Sequence, residues 1–155
     1  GCGLALPDKQ LPANDRYNAS GECTELYWEL SFYTLAKQDE DFIHQLLVDT
    51  YGAQHSGGIT KRITTAFALA GLYLYLEKGY SGARVQEIHL LMAQNKTFEW
   101  PAFAPAQNHT MTLADVVHAT DKDEQLLKWA RSVWRNYESA KPQVIQMIEE
   151  LLGPL

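Results

Sequence analysis

Between Ile63 and Leu76 the chain carries no charged side chain, and this apolar run limits the possible folds more than any other feature. As a helix it spans about 21 Å, short of the roughly 20 residues that a bilayer crossing needs. The protein must therefore bury it. Ile63, Phe67, Leu69, Leu72, Tyr73, Leu74 and Leu76 surround the axis on nearly every side, so other elements have to cover it all round. The spacing predicts a central helix over about 60–78, in which Gly71 lets a neighbour approach closely.

The cover reads as further helices. Ser20 has the form of an N-cap, and Cys23, Leu26, Tyr27, Leu30, Tyr33 and Thr34 recur at helical spacing to about Lys37. A second helix is expected from about Glu40, ended by Gly52, with Ile43, Leu46, Leu47 and Thr50 inward. Ser81 caps a fourth through about Gln94, burying Val85, Ile88, Leu91 and Met92. Thr112 and Asp115 form a capping box for a short fifth helix to about Ala119. A sixth runs from Asp121 to about Ala140 on a stripe of Leu126, Leu127, Ala130, Val133, Trp134 and Tyr137. Pro142 kinks it or opens a last helix, and Gly153-Pro154 stops the chain.

Residues 1–19 carry no helical period and read as an irregular arm. The segment 97–111, with Pro101 and Pro105, is a long loop packed through Phe98, Trp100 and Phe103. No strand-like alternation competes with these readings. The expected fold is all-α, a compact single-domain bundle of about six to seven helices over 1–155.

With 46% hydrophobic residues in 155, such a domain can fill a core without staples. Lys and Arg number 13 against 19 Asp and Glu, a net charge of −6, and no basic run could neutralise several phosphates together. Nucleic acid is excluded as a partner, and so is a membrane. A chain beginning on Gly1 leaves room for residues upstream and for an excised signal peptide. The expected compartment is nonetheless the cytoplasm, where Cys2 and Cys23 would stay reduced. Two inert thiols and a metal site are both open readings of that pair.

Chemistry concentrates in the stretch from His44 to His55, which holds two imidazoles, a carboxylate, a phenol and an amide. On one helix the two histidines stand roughly 16 Å apart, too far to share one metal ion. His44 and Asp49, five positions apart, point to different faces. The short connection between the first two helices makes them antiparallel neighbours. His55 should then approach Cys23, while His44 lies at the far end near Tyr33. If the arm folds back, Cys2 joins Cys23 and His55 in a soft set of zinc-type ligands. Water, Asp49 or a residue upstream would complete it.

Each residue also has a plainly structural reading. A buried first-turn cysteine acts as a small hydrophobe, His44 as a core-edge histidine, and Asp49 as an exposed or capping carboxylate. His89, His109 and His118 read as surface residues, and Trp28, Trp100, Trp129 and Trp134 as core. No nucleotide loop, nucleophile elbow or His-Glu-x-x-His helix is present.

Gly1-Cys2-Gly3-Leu4-Ala5-Leu6-Pro7, Ala19-Ser20-Gly21-Glu22-Cys23, the stretch from His44 to His55, Leu113-Ala114-Asp115-Val116 and Trp129-Ala130-Arg131-Ser132-Val133-Trp134 together resemble an uncharacterised bacterial family, catalogued only as a domain of unknown function. The resemblance covers nearly the whole chain. It implies a Cys-Pro-x-Cys-Gly start whose second cysteine aligns with Cys2, with the first just upstream of residue 1 as a fourth ligand. It also sets Ala68 where relatives carry a histidine, and leaves out histidines expected near Glu138. A functional pocket built on those histidines would be incomplete here.

Three readings follow. In the first, the chain is a small binding or regulatory module for a small molecule or a protein. A structural zinc on Cys2, Cys23 and His55 ties its arm down, and His44, Asp49, Tyr51 and Gln54 are candidate binding residues. In the second it is a metal-dependent hydrolase with His44, Asp49, Tyr51 and His55 around an open site. In the third it self-associates through Tyr73 and Tyr75.

Overall fold

Helix formation here follows from local caps and from one deeply buried pair of helices. A computed structural model of the chain describes residues 1–154, and every regular element among them is helical. In chain order they are α1 (Gly21–Ala36), α2 (His44–Gln54), α3 (Arg62–Leu76), α4 (Gly82–Met92), α5 (Leu113–Val117), α6 (Lys122–Arg135), a 3-10 turn (Glu138–Ala140) and α7 (Lys141–Leu152). No helix among the described residues is long and apolar enough to cross a membrane.

The expected caps form. Ser20 Oγ accepts from Cys23 N–H at 3.1 Å and Ser81 Oγ from Arg84 N–H at 3.1 Å, and a cap not foreseen adds Asp121 Oδ1, which accepts from Glu124 N–H at 3.0 Å. Thr112 N–H donates to Asp115 Oδ2 at 2.7 Å, closing the capping box. Each of these satisfies amides that the first helical turn leaves free.

α2 and α3 form the central pair. α2 also packs on α6, α4 and α1, while α3 packs on α4, α7 and α6. The covering of α3 is as its apolar sequence requires. The burial of α2 is less obvious, because Gln45, Asp49, Thr50 and Gln54 are all enclosed. Asp49 is only 4% exposed, which corrects its reading as a surface or capping carboxylate.

Several other expectations change. α2 begins at His44 rather than near Glu40, because Gln38 and Phe42 take positive φ of 49° and 54° and turn the chain between α1 and α2. Gly52 does not end α2. It sits inside the helix where a Cβ would lie 3.2 Å from Ala68 Cβ and 3.4 Å from Tyr17 Cε1, so it serves close packing, and the helix ends at Gln54. α6 stops at Arg135, and Pro142 falls in the first turn of α7. Trp129 and Trp134 are core and Trp100 is half-buried against Phe67 and Phe98, but Trp28 is 64% exposed. Leu91 also faces outward. Tyr75 does not offer a free face, since its hydroxyl donates to Asp41 Oδ2 at 2.6 Å. His118 is exposed as expected, whereas His89 and His109 are half-buried, each with an enclosed Nε2 that has no hydrogen-bond partner.

The arm runs along α1 rather than hanging free. Glu22 Oε1 accepts from Lys9 N–H at 3.1 Å and Leu11 N–H at 3.3 Å, and Asn14 donates to Thr24 Oγ1 at 3.1 Å. Gly21 permits this, since a Cβ there would fall 2.4 Å from Leu11 Cβ. Further on, Asn18 N–H donates to His55 carbonyl oxygen at 3.0 Å. Residues 1–3 are thereby brought over the start of α1 and the end of α2.

Candidate metal centre

Three segments converge on one point: the arm brings Cys2, the first turn of α1 brings Cys23, and the residue after α2 brings His55. Their ligating atoms all lie within 4.8 Å of one another. Cys23 Sγ is 3.3 Å from His55 Nε2, and both cysteines are free. Two ligands on one tetrahedral zinc, with bonds of about 2.0–2.3 Å, stand roughly 3.3–3.8 Å apart. The spacing of Cys23 and His55 is in that range. The donor set is right as well, with two soft sulfurs and one borderline nitrogen.

The imidazole is already set for ligation. Its Nδ1 lies 2.9 Å from the Tyr51 carbonyl oxygen; the carbonyl can only accept, so Nδ1 carries the proton and Nε2 presents its lone pair to the sulfurs. Such a carbonyl behind a ligating histidine fixes tautomer and ring plane and raises ligand basicity. His55 is fully buried, and the Tyr51 ring lies against it with centroids 4.1 Å apart. Tyr27 stacks on Tyr51 at 4.3 Å and Tyr17 meets it edge-on at 5.2 Å. The buried side of His55 is thus backed by aromatic rings.

Charge is unevenly shared between the thiols. The Cys23 thiol directed at it, with His55 beside it, holds Cys2 down to about 4 against the opposing effect of burial. Cys23 is pushed up by the same pairing with Cys2 and by burial. The pairing favours the proton on Cys23 over one on Cys2. A divalent cation would displace that proton and take both as thiolates. A cavity of about 190 Å³, lined by Gly1, Leu4, Asn18 and Ser20 as well as the three ligands, opens beside them. It leaves room for a fourth ligand.

The remaining candidates do not gather into one site. His44 Nδ1 lies 2.9 Å from Thr34 Oγ1 at the opposite end of α2. Tyr51 directs its hydroxyl toward Cys23 Sγ at 3.9 Å. Gln54 donates to Met111 carbonyl oxygen at 2.7 Å and accepts from Trp129 Nε1 at 3.1 Å, joining α2 to the long loop and to α6. Asp49 points toward α3, where Gln45 Nε2 donates to both carboxyl oxygens at 3.1 Å; it does not belong to the cysteine cluster.

Sequence reasoning missed two residues. His89 follows Ile88 and lies one turn from Val85 and from Met92, so its spacing already put it at the edge of the apolar stripe. Gln45 precedes Asp49 by one turn, the separation at which a glutamine reaches a carboxylate on the same helix. Both signals were available in the sequence.

Fold and cluster together define a small all-α bundle in which a two-cysteine, one-histidine group gathers where the N-terminal arm meets two helix ends. The chain belongs to a family of unknown function, DUF5946, whose pattern matches residues 1–138. No curated protein and no solved structure matches it.

Proposed function

We propose that the protein is a small cytoplasmic binding or regulatory module whose N-terminal arm is held in place by a structural zinc on Cys2, Cys23 and His55. The observation that carries this reading is the convergence of three ligands from separate segments with the imidazole tautomer already fixed. A fourth position falls to water or to a residue preceding Gly1. The ion would join residues 1–3, which have little else to hold them, to the ends of α1 and α2. Such a closed site contributes folding energy rather than chemistry. The hydrolase reading lacks this support, because His44 and Asp49 lie away from Tyr51 and His55, with partners of their own.

Elemental analysis of the purified chain tests the proposal. The expected result is one zinc per chain, lost in Cys2→Ser and Cys23→Ser, with sulfur-to-metal charge-transfer bands when Co²⁺ replaces it. Chelation should expose residues 1–19 to protease while α3 stays protected. Metal-free protein with an equally protected arm would overturn it.

A further inference from the structure

A second cavity, separate from the cysteine cluster, lies where α2, α3 and α4 meet. It measures about 150 Å³, and Gln45, Asp49, Ala68, His89, Tyr17 and Arg16 are among its lining residues. A cavity of about this size can hold a molecule of roughly five or six heavy atoms.

Its floor is a buried acid with no cationic partner. The Asp49 carboxyl rests directly on the backbone of α3, where Gly71 leaves the space: a Cβ there would lie 1.9 Å from Oδ2. Gln45 reaches both oxygens, and the same Nε2 lies 3.4 Å from His89 Nδ1. Gln45 thereby holds carboxyl and imidazole in a fixed relation. Burial raises the acid well above the usual carboxylate range, and only the Gln45 hydrogen bond offsets this. No lysine lines the cavity. Arg16 is its one cation, and it stays at the exposed rim, its guanidinium 5.3 Å above the Tyr17 ring.

The other titratable groups around the floor are uncharged at neutral pH. Burial holds His89 down to about 4 and pushes Tyr17 up to about 12. A buried carboxylate costs several kcal/mol unless it is paired, and Gln45 is the one group that donates to this acid. What the site lacks is a compact positive hydrogen-bond donor. Arg16 at the mouth disfavours a second positive charge and favours an acidic far end.

We propose that this cavity binds the ammonium group of a small primary amine, held by the Asp49 carboxylate and oriented by Gln45, with Arg16 favouring ligands whose other end is acidic. The cavity holds none of the three metal ligands, although Arg16 and Tyr17 reach it from the arm.

The test is an NMR titration of the full chain, following the side-chain carboxyl carbon of Asp49 while methylammonium or β-alanine is added. Acetate, K⁺ and tetramethylammonium serve as controls. The expected result is a saturable shift with both amines, tighter for β-alanine, and none with acetate, K⁺ or tetramethylammonium. Asp49→Asn keeps the shape and removes the charge, and should weaken binding at least tenfold, read by calorimetry. Val48→Phe narrows the cavity from its half-buried side and should do the same, which keeps the proposal testable if Asp49→Asn does not fold. No saturable shift with either amine, equal binding of acetate, or full affinity in Asp49→Asn overturns the proposal.

Discussion

Replacing Gly71 by alanine should destabilise the protein, although alanine is the better helix former. A Cβ at this position would stand 1.9 Å from Asp49 Oδ2 and 2.4 Å from its Cγ, so one of the two must move. α3 is locked between α2, α4 and α7, and the carboxyl is the smaller group to shift. Displacing it breaks the paired hydrogen bonds from Gln45, worth about 1–3 kcal/mol for a buried acid. Overpacking the site adds about 1–3 kcal/mol, while the helical preference of alanine over glycine returns about 1 kcal/mol. The net loss is about 1–5 kcal/mol, which in a domain of this size lowers Tm by roughly 2–20 °C. Urea and thermal denaturation of Gly71→Ala, Asp49→Ala and the double variant form the assay. With the carboxyl gone the methyl group has room, so the two changes should couple by at least ~1 kcal/mol. If Gly71→Ala is as stable as the parent, or the two effects simply add, the close packing of Asp49 on α3 is wrong.

The remaining predictions concern pH and single hydrogen bonds. Because burial holds His89 down to about 4, the unfolded chain takes up that proton first; stability is complete above about pH 6.5 and falls toward pH 4, by up to ~3 kcal/mol. His89→Asn should flatten this acid limb in urea titrations. Asp49 acts in the opposite sense: its raised value favours the protonated folded form, so its contribution is present below the ordinary carboxylate range and is lost as pH rises through it. Asp49→Asn should therefore gain stability relative to the parent as pH rises, and a constant difference across pH would contradict this. Tyr51→Phe keeps the aromatic stack and loses only the 3.9 Å hydroxyl contact to Cys23, so it should cost under ~1 kcal/mol in thermal melts; a loss above ~2 kcal/mol would show that the hydroxyl is essential. Gln54→Leu leaves the Trp129 indole N–H and the Met111 carbonyl unpaired and should cost about 2–4 kcal/mol, measured by urea denaturation.

What the sequence made legible was whatever depends on neighbours along the chain. Ser20, Ser81 and the Thr112–Asp115 box are recognised by side chains that bond amides three residues away. The meeting of Cys23 and His55 was also readable, because a short connection forces α1 and α2 antiparallel and sets the end of one beside the start of the other. Gly52 misled, since a glycine within a helix and one that ends it look alike until the partner Ala68 is in place. Asp49 was misread for a related reason: its burial depends on Gly71, which lies 22 positions away in α3. Trp28 was assigned to the core by residue type alone, and the face of α1 that carries it lies open.

The long loop between α4 and α5 is attached unevenly. At its start Trp100 packs against Phe67 and Phe98 packs against Trp100. At its far end Ala106 N–H donates to the Tyr137 hydroxyl at 3.2 Å, Thr110 Oγ1 lies 2.8 Å from Ser132 Oγ, and Met111 is held by Gln54. Between these anchors Ala102 and Ala104 are exposed. The loop is therefore two fixed ends joined by a short bridge whose one inward residue is Phe103. In hydrogen exchange the amide of Ala106 should resist deuteration for far longer than those of Ala102 or Ala104. The bridge is also the place where extra chain could be spliced in, for a tag or a fluorophore, without loosening the bundle.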